Sequence, residues 1–170
     1  MRMDKTKVTK DLENNTLIIE RVFDAPQEKL WRAYADREWF EAWWGPEGWQ
    51  TTTKDFDFKV GGRIHYGMKC EDPKQTDWFG KTAWGVMTIE AIDEPHSFTA
   101  SDSFCDADGT IDANMPTQKF AVELADVDGQ TNLISRSVCD TAEQLEMLVK
   151  MGMAEGFASQ LNRLETLLNK

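Results

Sequence analysis

Apolar and polar residues alternate in short segments through the middle of this sequence, and turn residues separate the segments. In residues 64–69 the even positions are apolar and the odd positions mostly polar, which predicts a strand with one inward face. Residues 16–23 are rich in β-branched and apolar side chains and predict the first strand. Asp128-Gly129 stands between two further apolar segments and is typical of a tight hairpin. We therefore expect consecutive antiparallel strands, because parallel strands would need crossover helices.

Helical spacing of apolar residues appears near both ends of the chain. Residues 26–34 predict a short helix that begins near Pro26, and residues 37–43 predict a second one. In the C-terminal segment Thr141 and Gln144 have the spacing of a capping box, and an apolar stripe follows. The stripe consists of Leu145, Val149, Met153, Phe157, Leu161, Leu164 and Leu168. It predicts one helix of about 28 residues, roughly 40 Å long.

The order of these elements predicts an α+β fold of the helix-grip type. A single antiparallel sheet has one apolar face to cover, and only the long C-terminal helix is large enough to cover it. We expect a curved antiparallel sheet of about seven strands wrapped around that helix, with two short helices after the first strand. Residues 16–170 are expected to form one domain, and the charged residues 1–15 are expected to be a frayed tail.

Composition and charge narrow the possible partners. The chain has 170 residues and a net charge of -11, from 30 acidic and 19 basic residues, which makes nucleic-acid binding improbable. No apolar run approaches the roughly 18 residues that span a bilayer, and the N-terminus lacks the apolar core of a secretory signal, so we expect a cytoplasmic protein without membrane insertion. Three cysteines at wide spacings fit reduced thiols better than disulfides or a zinc site.

Aromatic residues and helix glycines suggest a ligand cavity. The chain holds seven Trp and nine Phe, and aromatic side chains line both cores and pockets. Gly152 and Gly156 lie on the helix stripe. Either they allow close packing against the sheet, or their missing side chains leave a cavity of at least about 300 Å³, which is the interpretation we favour. The tryptophan-rich segment 39–49 is expected to be partly core and partly the cap of the cavity mouth.

Strand alternation and the helix stripe select eight residues as the predicted ligand-binding lining. They are Trp44, Tyr66, Met68, Trp84, Phe104, Phe120, Met153 and Phe157. An error of one position in a strand would move a residue to the wrong face.

The sequence contains no pattern typical of a catalytic site, a metal site or a cofactor site. His65 and His96 lack metal-ligand spacing, and both are expected to face solvent. Residues 106–109 look like the start of a calcium loop, but Thr117 stands where a glutamate is required, which favours a solvated turn. No nucleophile motif or phosphate-binding loop is present.

Three charged strand residues have faces that the sequence leaves open. Arg63, Glu90 and Arg136 lie in predicted strands, and any of them that pointed into an apolar cavity would need a partner and could orient a ligand.

Several motifs in order resemble one bacterial family. They are residues 17–26, residues 43–48 (Trp-Trp-Gly-Pro-Glu-Gly), residues 61–63, residues 85–90, residues 103–109 and residues 151–164. Together they resemble the proteins similar to the activator of Hsp-ninety ATPase homologue, in the START-like (SRPBCC) superfamily of the birch-pollen-allergen (Bet v I-like) fold. The resemblance implies a helix-grip fold with a deep apolar cavity between sheet and long helix. Relatives bind lipids, sterols or polyketides, act as enzymes, or act on a chaperone, so it leaves the function open.

Three functions follow as expectations. The leading one is non-catalytic binding of a small hydrophobic molecule in the apolar cavity. The first alternative is a protein-interaction module or a regulator similar to chaperone-ATPase activators, although the larger domain with which such activators engage the chaperone is not among these residues. The second alternative is an enzyme of the cyclase or hydrolase type, which requires a buried titratable group in the same cavity. A homodimer is possible, but no residue pattern demands one.

Overall fold

An eight-stranded antiparallel sheet organises the molecule in a computed structural model that describes residues 5–170. The strands are β1 (Lys7–Asp11), β2 (Thr16–Phe23), β3 (Trp49–Phe56), β4 (Arg63–Cys70), β5 (Thr82–Asp93), β6 (Ser97–Cys105), β7 (Gln118–Val127) and β8 (Gln130–Val138). Their order across the sheet is β1-β2-β8-β7-β6-β5-β4-β3. The only neighbours distant in sequence are β2 and β8, which bring the N-terminal strands beside the last hairpin.

Residues 5–170 also form four helices. They are α1 (Gln27–Ala35), α2 (Arg37–Trp43), α3 (Ala142–Lys150) and α4 (Met153–Leu168). The two short helices follow β2, and α4 shares one apolar core with the inner face of the curved sheet. The α+β helix-grip prediction is thereby confirmed. Within residues 5–170 none of the helices combines the length and the apolar character that a bilayer crossing requires.

The predicted frayed tail instead contributes a strand. Residues 7–11 pair with β2 in antiparallel register, from Lys7 opposite Glu20 to Asp11 opposite Thr16. Asn14 donates from its side chain to Asp11 at 2.8 Å and closes the connecting turn. Charged side chains occur on exposed edge strands as well as in frayed ends, so the charge pattern did not distinguish the two. The prediction of a frayed tail was wrong for residues 7–11. The sheet therefore has eight strands, and the first four residues of the predicted tail lie outside the described part of the chain.

The predicted 28-residue helix is divided into α3 and α4. Gly152 adopts φ of +94° between them, a left-handed conformation that ends one helix and begins the next. The predicted start is confirmed, because the Thr141 hydroxyl accepts the backbone N–H of Gln144 at 3.1 Å. The regular spacing of apolar residues continues across the break, so the stripe alone did not reveal it.

The inner face of the sheet carries the core. On β2 the inward residues include Leu17 and Ile19, which cluster with Leu161 and Leu164 of α4. Arg21 occupies the same face and is 2% exposed. It donates to Asn162 at 2.7 Å and pairs with Glu165, also on α4. This buried cation anchors the helix to the sheet through charge-assisted hydrogen bonds.

The outer face near β4 is covered by the segment between β6 and β7. His65 lies on that face, as predicted, but it is 3% exposed rather than solvent-facing. Its Nε2 lies 3.2 Å from the carbonyl oxygen of Asp106, and Gly109 also packs against it. The alternation pattern predicted the face correctly, but a loop from a distant part of the chain covers it. His96 is exposed.

Candidate functional site

The structure divides the predicted cavity into two small voids. The first, of about 10 Å³, is bordered by Trp44, Phe120 and Phe157 beneath α4. The second, of about 50 Å³, is bordered by Tyr66, Met68 and Phe104 on the inner face of β4–β6. Seven of the eight predicted residues therefore border one of the two voids, and Met153 borders neither. Within residues 5–170, neither void approaches the predicted single cavity of at least about 300 Å³.

Aromatic side chains fill most of the space that the prediction left open. Trp44 stacks on Phe40 with ring centroids 4.8 Å apart, and Tyr66 lies 5.9 Å from Trp44. Tyr34 adds an edge-on contact to Trp43 at 5.0 Å. Such rings each occupy a large volume and pack in offset or edge-on arrangements. The tryptophan-rich segment is therefore chiefly core, and Trp44 alone of its tryptophans borders a void.

Trp84 borders the larger void, but its side chain lies on the outer face of the sheet. The indole ring of Trp84 crosses Gly67 on the outer face, where it contacts His65 at 5.2 Å and the Lys54 ammonium at 4.7 Å. Trp84 lies opposite Gly67 in the sheet, on the face away from Tyr66 and Met68. This is the one-position error that strand alternation permits. Met153 packs against the core but borders neither void. It follows the Gly152 turn, so the continuous-helix prediction misplaced it.

The glycines of the C-terminal segment do not create the voids. Gly152 is required by its left-handed backbone, since an L side chain there is strained. At Gly156 an added Cβ would meet only the ring of Pro46, at an ordinary 3.8 Å. Pro46 lies in the loop after α2, so Gly156 faces that loop and not the sheet. The cavity interpretation of the two glycines was wrong.

Three side chains of α4 hold the loop that carries Trp44. Arg163 donates to the carbonyl oxygens of Trp44 at 3.0 Å, Gly45 at 2.8 Å and Ala42 at 3.1 Å. Gln160 accepts the N–H of Gly45 at 2.8 Å, and Ser159 accepts that of Glu47 at 2.8 Å. These bonds satisfy backbone groups left free where α2 ends. The Trp-Trp-Gly-Pro-Glu-Gly segment is thereby fixed against α4, and Trp44 borders the smaller void.

A polar group lies in the larger void. Tyr66 donates its hydroxyl to the carboxylate of Asp102, with distances of 2.9 and 3.0 Å to the two oxygens. Tyr66 is on β4 and Asp102 on β6, so the ring must cross the strand between them. It does so at Gly85, where an added Cβ would come within 2.4 Å of the tyrosine ring. Gly85 therefore permits the contact between two strands that are not neighbours.

Asp102 is the titratable group of this void. Burial raises the pKa of its carboxyl to about 7, against lowering by hydrogen bonds from Tyr66 and Gln118. The residue keeps some exposed surface, while protein surrounds its carboxyl group. Burial also raises the pKa of Tyr66 well above its usual range, with the Asp102 charge as the next cause. Near neutral pH the pair therefore holds or releases one proton at Asp102.

Two further side chains adjoin the polar group: Gln118 lies beside Asp102, and Trp44 lies beside Tyr66. Gln118 of β7 lies opposite Asp102 in the sheet, and its side chain lowers the pKa of the carboxyl. Its Oε1 is buried without a hydrogen-bond partner among residues 5–170. The side chain of Trp44 lies beside Tyr66, with ring centroids 5.9 Å apart, and lowers the pKa of its hydroxyl. We call Tyr66, Asp102 and Gln118 the inner polar trio.

The sequence missed Asp102 and Gln118, and it proposed other charged residues. Arg136 pairs with Glu123 at 2.6 Å and Glu90 with Lys119 at 3.3 Å, all at the surface. Arg63 is also exposed. The missed signal was the alternation on β6, where Phe98, Ala100, Asp102 and Phe104 share the inward face.

Metal-binding geometry is not found among residues 5–170, where no three His, Cys, Asp or Glu side chains cluster suitably. Residues 106–109, which look like the start of a calcium loop, form a turn that is closed by hydrogen bonds of the backbone and of the Asp106 side chain. One carboxylate oxygen of Asp106 accepts the N–H groups of Asp108 and Thr110, both at 2.9 Å.

The protein is of the helix-grip class, with a polar group in a small void on the inner face of its sheet. Comparison with protein-family models shows the family to which it belongs. The family model described as Activator of Hsp90 ATPase homolog 1-like protein matches residues 24–169. The chain belongs to this family. The resemblance inferred from the motifs is thus confirmed.

Solved structures of bacterial relatives have the same fold. A protein from Mycobacterium smegmatis, Ms6760, is 34% identical, with 96% of each chain covered and a TM-score of 0.86. A protein from Arthrobacter aurescens is 28% identical over 96% of this chain and 91% of its own, with a TM-score of 0.87. CalU16 from Micromonospora echinospora is 17% identical over 96% of this chain and 84% of its own, with a TM-score of 0.57, and shares the fold alone. No curated protein gives a match.

Proposed function

We propose that this protein binds, without catalysis, a small and mainly apolar molecule on the inner face of its sheet, at the void bordered by Tyr66, Met68 and Phe104. The supporting observation is the combination of apolar lining and one polar group in that void. Ligand sites are mostly apolar, with a few polar groups that fix orientation. The ligand is a small molecule, and no nucleic acid or inserted membrane takes part.

The void is smaller than a ligand, so binding requires side chains at its border to move. Met68 and Phe104 are half-buried and line the void where it opens toward solvent. Methionine has three flexible bonds and adapts readily to different shapes. Displacement of Met68 and Phe104 from the open side of the void enlarges it for a ligand.

A second candidate function is catalysis at the same place. Asp102 is a buried carboxyl whose pKa is raised to about 7, which suits proton transfer near neutral pH. An enzyme with one acid in an apolar pocket needs no further motif. The specific observation that favours this candidate is a buried carboxyl that accepts the Tyr66 hydroxyl within a mainly apolar void.

Binding is tested with N-phenyl-1-naphthylamine, whose fluorescence rises in apolar surroundings. We expect a saturable increase with the wild-type protein. Ala83→Leu places extra volume beside Met68 on the inner face, because Ala83 lies opposite Met68 in the sheet. This variant should lower the affinity at least about fivefold by filling the void.

The matched control is Thr82→Leu, one residue earlier and on the outer face of the same strand. It should bind the fluorophore as the wild type does. Circular dichroism checks that both variants fold. Equal binding by Ala83→Leu and wild type, or no saturable binding at all, contradicts the proposed site.

A further inference from the structure

The carboxyl group of Asp102 has no cationic partner among residues 5–170. It accepts the hydroxyl of Tyr66; Gln118 and the backbone of Ser103 also lower its pKa, and no Lys, Arg or His side chain does so. Buried charges in proteins are ordinarily paired. The carboxylate and the free Oε1 of Gln118 are both hydrogen-bond acceptors in the same void. This void therefore holds a carboxyl group that accepts the Tyr66 hydroxyl but faces no positive charge, and an amide oxygen that has no donor.

We propose that the inner polar trio binds the ammonium group of a small organic amine, with Asp102 as the counter-ion and Gln118 Oε1 as a second acceptor. This inference rests on the proposed function and specifies the polar end of the ligand. An ammonium group supplies the missing positive charge and up to three N–H donors. A carboxylate ligand meets repulsion from Asp102, and an alcohol supplies only one donor and no charge.

The surroundings of the trio favour a cation in two further ways. Tyr66 and Phe104 border the void, and aromatic rings attract cations. The net charge of -11 attracts cations to the molecule at long range. A void of about 50 Å³ has room for a small polar group such as an ammonium. The ammonium group occupies it, and the alkyl part of the ligand lies against Met68 and Phe104.

The pH dependence of binding follows from the groups that face Asp102. Tyr66 faces it from β4 and Gln118 from β7, and Met87 of β5 lies opposite it in the sheet. Cys105, on its own strand, has a thiol pKa raised chiefly by burial and by the charge of Asp106. Of these, only Asp102 changes charge between pH 6 and pH 8. Because its pKa is raised to about 7, the carboxylate forms above that pH.

The experiment uses hexylamine, hexanol and hexanoate as probes and tyrosine as the reporter. The chain has two tyrosines, so ring-¹³C labelling yields one reporting residue in the trio, Tyr66, and one core residue, Tyr34, as internal control. Tyr66→Phe assigns the signals. Hexylamine stays protonated throughout, like a lysine side chain. Its affinity should rise about tenfold from pH 6 to pH 8, following the ionised fraction of Asp102.

The control variant is Asp102→Asn, which keeps the shape and removes the charge. It should bind hexylamine at least about tenfold more weakly at pH 8 and lose the pH dependence, while Tyr34 signals stay unchanged. Hexanol binding with no preference for hexylamine and no pH dependence overturns the ammonium proposal but supports an apolar site. Failure of hexylamine, hexanol and hexanoate alike to shift Tyr66 overturns this proposal and counts against the proposed function. Preferential binding of hexanoate reverses the proposed charge and overturns the proposal.

Discussion

Gly85 controls whether Tyr66 can reach Asp102. The tyrosine ring lies directly over the glycine, where an added Cβ would come within 2.4 Å of it. A methyl group at this position must displace the ring and break the bond to the carboxylate. The polar trio thus depends on a residue that has no side chain.

We predict that Gly85→Ala destabilises the fold by about 1–3 kcal/mol, the usual cost of forcing extra volume into a packed site. Urea unfolding measures the change. In a Tyr66→Leu background the same substitution should cost less, because the clashing ring is gone. An equal cost in both backgrounds would show that Tyr66 is not what the new methyl group meets.

Asp102 makes stability depend on pH in a definite direction. Its pKa is raised from 3.8 to about 7 on folding, so the folded state holds more protons than the unfolded state between those values. The stability it contributes is fully present below pH 3.8 and is lost as pH rises through 7.

We predict that Asp102→Asn gains stability relative to wild type as pH rises from 5 to 8. The gain should be about 2 kcal/mol, less than the full value of such a shift because Asp102 keeps some exposure to solvent. Unfolding free energies of both proteins at both pH values measure it. A difference between the proteins that does not change with pH would disprove the raised pKa.

The residues of the trio were only partly predictable from the sequence. Tyr66 was found because alternation on β4 is regular. Asp102 obeys the same rule on β6, but a carboxylate on an apolar face is ordinarily taken as an interruption. Its partner Tyr66 lies 36 positions away, and the strand order that joins them comes from the register of the whole sheet.

At the scale of elements, Arg163 joins α4 to the end of α2. Its guanidinium serves the carbonyl oxygens of Ala42, Trp44 and Gly45, and burial lowers its pKa. Hydrogen bonds to charged groups contribute more than neutral ones.

We predict that Arg163→Met destabilises the protein by about 2 kcal/mol or more, since several carbonyls lose their donor. The matched control is Arg136→Met, which removes a surface ion pair with Glu123 and should cost about 0–1 kcal/mol. Chemical denaturation compares the two. Similar small losses would mean that the loop is held without Arg163.

The two glycines of the C-terminal segment have opposite expected effects. Gly152→Ala should destabilise by about 1 kcal/mol or more, because alanine is strained at φ of +94°. Gly156→Ala should stabilise by about 0.5–1 kcal/mol, because the position is helical and the added methyl group has room. Thermal unfolding distinguishes the two. Stabilisation by Gly152→Ala would indicate a continuous helix and contradict the break.

The type and order of most helices and strands were predictable from the sequence, whereas the first strand and the break between α3 and α4 were not. The capping box and the Asp128-Gly129 turn are local signals, and both positions behave as expected: Asp128 and Gly129 have φ of 54° and 86°. Strand β1 is short and charged, and its pairing with β2 gives it order. The break at Gly152 depends on one residue, whose choice between helix and left-handed turn is decided by packing.

For the whole molecule, the volume of the cavity was the least predictable property. The fold class follows from the order of elements, but a void is what remains after side chains from several elements have packed. Here Tyr34, Phe40 and Trp44 bring aromatic rings from the two short helices and the following loop into that space. Alternation along a strand carries no information about how far such rings reach.

The most direct test of the proposed binding site locates a bound probe by NMR. With methyl-¹³C methionine labelling, nuclear Overhauser contacts from bound N-phenyl-1-naphthylamine report which methionines it touches. Met68 borders the inner void, whereas Met147 and Met151 lie exposed on and after α3. Contacts to Met68 are the result we predict. Contacts to Met147 and Met151 with none to Met68 would contradict the inner-face site.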